Sequence, residues 1–167
     1  MIFEKLWQGL EASPVGDFVA SSSWAFPTLE TVHVIAIVTV LGSIAVMDLR
    51  LLGLASTESK VTEIEHDTLR WTWGAFVLAA VTGLLLFVSK ATSYMVNPFF
   101  LWKMVLIALA GVNMAVFHIR TWPSVATWDI GREAPRAGKI AAGMSLALWG
   151  IVVFVARAIG FTLDKYT

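Results

Sequence analysis

The sequence predicts an all-α integral membrane protein: a bundle of four transmembrane helices with a short interfacial helix at its N-terminus. Three observations carry this expectation. Of 167 residues, 57% are hydrophobic and 14% charged, and the mean hydropathy is +0.75, more apolar surface than a soluble chain of this length could hide. Four apolar stretches approach the ~20 residues that a hydrocarbon core about 30 Å thick demands. Turn-forming and aromatic residues cluster at the ends of those stretches, where a bilayer has its interfaces.

Residues 2–22 place Ile2, Phe3, Leu6, Trp7 and Leu10 among Glu4, Lys5, Gln8 and Glu11. That is a helical period, too short and too polar to cross a bilayer, so it reads as an interfacial helix interrupted at Pro14. It lacks the basic start and continuous apolar stretch of a cleavable signal, so the first span is expected to direct insertion. The spans are predicted at about 29–53, 69–89, 98–120 and 138–162, within one membrane domain over 1–167. Pro27 and Thr28 open the first and Gly53 closes it. Asn97 and Pro98 open the third, Pro123 follows it, and Pro135 and Gly138 precede the fourth. Trp24, Trp71, Trp73, Tyr94, Trp102, Trp122, Trp128 and Tyr166 are expected to form the aromatic belts.

Basic residues give the orientation. Arg50, Lys60, Arg70, Arg120, Arg132, Arg136 and Lys139 fall on one side, against Lys5, Lys90, Lys103, Arg157 and Lys165 on the other. This bias predicts both termini on the outer face. Small residues at Ala75, Ala79 and Gly83, at Ala108 and Gly111, and at Gly143, Ala147 and Gly150 predict close helix packing.

Several function classes are excluded. Twelve basic and twelve acidic residues cancel, which gives no nucleic-acid groove and no polybasic lipid tether. The absence of cysteine removes disulfides, thiolate metal sites, iron–sulfur clusters and covalent haem attachment. No Ser stands in a G-x-S-x-G turn, and neither H-x-x-x-H nor H-E-x-x-H occurs.

Ionisable groups inside spans cost about 2.5–3.5 kcal/mol each, so each needs a reason. They fall in two layers. Toward the outer face lie His33, Lys103 and Arg157, with Glu30 one turn from His33; toward the inner face lie Asp48 and Arg50, His66 and Arg70, and His118 and Arg120. Fifteen residues separate Lys103 from His118, roughly 22 Å of helix. Lys103 and Arg157 could equally snorkel to headgroups, Asp48 and Arg50 form a boundary ion network, and His66 sit in a wetted loop. Asn113 suits an interhelical hydrogen bond. His33 and His118 neither snorkel nor pack well among apolar neighbours, so each is a candidate ligand as well as a hydrogen-bonding residue. Haem b fits this set, since it needs an imidazole, an apolar slot and cations for two propionates; His33, Lys103 and Arg157 would supply them and His118 would serve a second site. Three histidines cannot furnish two bis-histidine haems, so either a second axial position falls to Lys103, to Met104 or to a neighbouring subunit, or only one haem binds.

At ETVHVIAIVTVLGSIAVMDLRLLGL, WTWGAFVLAAVTGLLLF, LWKMVLIALAGVNMAVFHIR, Trp128-Asp129 and SLALWGIVVFVARAIGF, the chain resembles an uncharacterised family of bacterial four-helix inner-membrane proteins. The resemblance spans nearly the whole chain and implies that fold and setting. More distantly, His33, Arg50, Thr82-Gly83 and Lys103 resemble positions in CopD-type copper-resistance proteins and HemJ-type protoporphyrinogen oxidases. The HemJ-type likeness, with His33, Lys103 and His118 in corresponding places, implies haem b. The chain departs from it in the spacings after His33 and in an entry to the second span without an arginine-rich stretch.

The expectation is therefore a haem b-binding membrane protein in electron transfer or redox catalysis, in the bacterial inner membrane, in contact with a quinone or another membrane redox partner and as a homo-oligomer. A copper-handling or small-solute protein, with His33 and His118 as metal ligands, and a non-catalytic subunit of a membrane complex are the alternatives.

Overall fold

A computed structural model describes residues 2–165, apart from the side chains of Ile2 and Asp164. The apolar contribution of Ile2 to the N-terminal helix and the belt position of Tyr166 lie outside the described residues. Two short helices come first, α1 (Ile2–Glu11) and α2 (Pro14–Ser21), then α3 (Ala25–Leu52), α4 (Val61–Ser89), the short α5 (Ala91–Val96), α6 (Pro98–Val116) and α7 (Arg136–Thr162). A π-helical turn (Phe117–Thr121) and a 3₁₀ turn (Trp122–Thr127) prolong α6. Helices α3, α4, prolonged α6 and α7 are each long and apolar enough to cross a bilayer. The protein is an all-α four-helix membrane bundle. Ile35, Val38, Leu84, Val112 and Phe154 are 59–74% exposed around its outside, a surface suited to lipid tails rather than water.

Local chemistry explains the boundaries. Ser13 accepts from Gly16 N at 3.1 Å and, with Pro14, starts α2, so the N-terminal segment is two helices and the break is a cap. Helix α3 begins at Ala25, before the predicted 29, because Pro27 sits in the first turn, where its missing N–H costs nothing. It ends at Gly53, whose φ of +76° allows Gly53 N to bond Arg50 O at 3.1 Å and Leu54 N to bond Leu49 O at 2.9 Å. Asn97 opens α6 by accepting from Phe99 N at 2.9 Å.

Helix α4 departs most from expectation, starting at Val61 rather than 69. Asp129 caps it from a distance: its carbonyl accepts from Val61 N at 3.1 Å, and its carboxylate accepts from Thr62 N at 2.9 Å and Thr62 Oγ1 at 3.0 Å. His66 therefore lies on the protruding first turns of a helix, not in the expected loop, although its side chain is exposed.

Helix α3 packs against α4 and α7, and α7 against α6, while α4 and α6 form no comparable seam among the described residues. The ring of four is thus open along one side. One end of the bundle holds α1, α2, α5 and residues 163–165, which pack on each other and on the spans. Trp7 meets Phe87 edge-on at 6.0 Å, and Thr92 N donates to Glu11 Oε1 at 2.8 Å. The other end gathers the α3–α4 loop and residues 117–135 around a core of Leu51, Val61, Phe117, Trp128, Ala134 and Ala142. Trp128 is consequently buried, with Nε1 donating to Ser124 Oγ at 3.0 Å, and is no belt residue; Trp24, Trp71 and Trp102 are exposed as a belt requires. In the same end Lys139 Nζ donates to Glu133 Oε2 at 2.6 Å, and its charge holds that exposed carboxyl below the usual range.

The small-residue seams divide similarly. Ala79 is buried and Gly83 is tightly packed. A Cβ added at Gly111, Gly143 or Gly150 would meet nothing within 4 Å, so those faces are open rather than closely packed. Asn113 bridges as expected, donating from Nδ2 to Ala141 O at 2.9 Å across α6 and α7.

Candidate functional site

The layer of His33 and Lys103 is built where α3 packs on α4. His33, half-buried on α3, has its Nδ1 2.9 Å from Thr82 Oγ1 on α4. Thr82 Oγ1 also lies 2.7 Å from Leu78 O, and the Ala79 carbonyl is a second hydrogen-bond partner of the imidazole, so the ring is fixed on α4 from two sides. Gly83 completes the seat, since a Cβ there would lie 2.9 Å from His33 Cε1. Lys103 on α6 is close enough for its charge to act on the imidazole, as does that of Glu30. Its ammonium also lies 5.2 Å from the centre of the Phe100 ring, at the edge of an aromatic group with Phe87 and Tyr94. Burial, helped by the charge of Glu30, pushes the Tyr94 phenol above its ordinary range.

Structure thus gathers His33, Thr82, Gly83 and Lys103. Arg157 is exposed on α7, with its guanidinium 4.5 Å from the Phe161 ring centre, and Met104 is 49% exposed beside Lys103.

The layer of Asp48 and His118 surrounds a cavity of about 300 Å³ reached by all four spans. His118 stands at the π-helical turn, where its Nδ1 donates to Met114 O at 2.9 Å; that carbonyl can only accept, so Nε2 keeps the lone pair. Nε2 lies 3.9 Å from Glu65 Oε1 on α4. Asp48 enters from α3 and hydrogen-bonds with Ser145 of α7, and its other oxygen, Oδ2, is buried without a partner among the described residues.

Comparison with protein-family models, curated proteins and solved structures finds no match to this chain. Its chemistry must be read from its own residues.

Asp48 and Arg50 do not form the expected ion network. Two residues apart on a helix, they point different ways: Arg50 donates to Ser59 O at 3.0 Å and Asp129 O at 3.3 Å, tying the loop ends together. Sequence reasoning overlooked Glu65, Ser145 and Trp149, which line the cavity. Glu65, Thr68, Thr72 and Phe76 follow helical spacing along one face of α4, a signal that appears only once the helix is extended back to Val61.

Among the described residues no three His, Cys, Asp or Glu side chains converge as a metal-ion group. His33 and His118 lie in separate layers and cannot share one ion. A bare copper or zinc site needs about three protein donors, whereas haem brings four nitrogens and needs only one or two. The seat that Thr82 and Gly83 give the His33 ring would suit an imidazole ligand to haem, with Lys103 near enough to serve a propionate.

Proposed function

We propose that the protein is a membrane-embedded haem b protein acting in electron transfer or redox catalysis, with His33 as an axial ligand. One observation carries this reading: the His33 ring is seated on α4 by its hydrogen bond with Thr82 and by the missing Cβ at Gly83, within reach of the Lys103 charge. Second-layer hydrogen bonds of this kind fix ring orientation and raise ligand basicity. Bound haem supplies a one-electron iron couple. The chain holds the His33 ring through Thr82, leaves room for it at Gly83, and offers the Lys103 ammonium to a propionate. His118, whose cavity offers no cation to a propionate, is not assigned to a haem. Arg157 serves a propionate only after leaving Phe161.

On this reading the protein works in the bacterial inner membrane with both termini outside, as a homo-oligomer and with a lipid-soluble redox partner. The inner grouping of Arg50, Arg70, Arg120, Arg132 and Arg136 supports that orientation.

The visible spectrum of the purified protein tests the reading. A Soret band that sharpens on dithionite reduction is expected, and the His33→Ala variant should lose it while His66→Ala keeps it. A preparation that stays colourless after incubation with haem overturns the proposal.

A further inference from the structure

We infer that the inner cavity is a binding site for a membrane-soluble hydroquinone, a neutral aromatic ring bearing two opposed hydroxyl groups. This deepens the redox reading and rests on it for the ligand's role, though not for its binding.

Access comes first. Three seams of the four-helix ring are closed by packing, and α4 and α6 face each other across the cavity without a fourth. The opening therefore leads sideways into lipid, which selects a ligand dissolved in the membrane. The walls carry Trp73, Phe76, Phe117 and Trp149, aromatic surfaces suited to a flat ring.

Polar chemistry narrows the class. Asp48 is only 7% exposed and its Oδ2 has no partner among the described residues, so a buried acceptor is left wanting a donor. The second acceptor is His118 Nε2, whose lone pair is fixed by the Nδ1 bond to Met114 O. These two atoms belong to α3 and to the prolonged α6, the diagonal pair of the ring, and so to opposite walls. Two acceptors separated by apolar surface match a molecule with a donor at each end of a ring. Among the described residues neither Lys nor Arg lines the cavity, so anionic ligands such as phosphate headgroups or haem propionates find no counter-charge. Glu65, 3.9 Å from His118 Nε2, adds a second carboxylate to the lining, so a lipophilic ammonium ion is the competing ligand, and the two acceptors on opposite walls decide for the diol. A neutral diol satisfies all of these conditions.

The test is a titration of the full-length protein in quinone-free nanodiscs with a decyl-substituted benzohydroquinone under anaerobic conditions, followed by tryptophan quenching. Saturable binding is expected, at least tenfold weaker for the dimethyl ether of the same compound, which keeps the ring and loses both donors. Asp48→Leu should weaken hydroquinone binding at least tenfold. Gly111→Phe provides an independent check, since Gly111 lines the cavity and a Cβ there meets nothing within 4 Å. It should abolish binding, while Gly150→Phe, equally unobstructed and outside the cavity lining, should not. Equal affinity for the dimethyl ether, unchanged binding by Gly111→Phe, or displacement by a lipophilic ammonium ion of similar size at equal concentration overturns the proposal. Repeating the titration on His33→Ala separates the two readings: binding retained there without a Soret band leaves the cavity assignment standing, and loss of binding with Soret absorbance intact in the wild type removes it alone.

Discussion

His33 Nδ1 and Thr82 Oγ1 are hydrogen-bonded between α3 and α4 at 2.9 Å, and the same threonine oxygen lies 2.7 Å from Leu78 O. The orientation of the His33 ring is thus set by a residue 49 positions along the sequence. Thr82→Val keeps the shape of the side chain and deletes the hydroxyl. Bound haem is expected to dissociate about 10–100-fold faster, the usual effect of losing a partner behind a ligating histidine. The decay of Soret absorbance in the presence of excess apomyoglobin measures it, and an unchanged rate would show that Thr82 does not orient the ring.

Gly83 faces the same imidazole. An added methyl would approach Cε1 at 2.9 Å, closer than real carbon contacts come, and the ring is held by Thr82. Gly83→Ala should therefore displace His33, lower the haem content severalfold and cost about 1–3 kcal/mol in stability. Haem per protein and the thermal midpoint in detergent report both effects, and the same change at Gly150, where nothing lies within 4 Å, should leave haem content unchanged.

Asp129 holds the first turn of α4 through both its carboxylate and its carbonyl, and the carbonyl also receives Arg50. Asp129→Ala removes only the carboxylate bonds to Thr62. The expected loss is about 1–2 kcal/mol, as for other helix N-caps, with fraying confined to the turns between Val61 and Glu65. Hydrogen exchange of those amides should accelerate while that of α7 does not.

Asn97 is fully buried at the opposite end, where Nδ2 donates to Thr162 Oγ1 at 3.0 Å and Oδ1 accepts from Phe99 N. Asn97→Leu nearly keeps the size of the side chain but strands Phe99 N, while the Thr162 hydroxyl keeps its bond to Ala158 O. A loss of about 1–3 kcal/mol follows from the donor left unsatisfied. Asn97→Asp, which retains the cap to Phe99, should lose less; thermal unfolding in detergent ranks the two.

The four spans were legible from hydropathy, because the free energy of placing about 20 apolar residues in hydrocarbon depends on composition along the chain and hardly on neighbours. Pro98, Gly53 and Asn97 act locally and were legible for the same reason, and His33 and His118 stood out because an imidazole in an apolar stretch needs a partner. Which partner each histidine finds is a matter of tertiary packing. The start of α4 depends on Asp129, more than sixty residues away, and once that cap extends the helix, Glu65 comes to face His118. Asp48 and Arg50 are adjacent in charge pattern but diverge in space, because two residues of helix turn them about 200° apart. The cavity follows from packing too: three of the four helix seams close, the α4–α6 seam does not, and no periodicity within one helix encodes which of its neighbours it will touch.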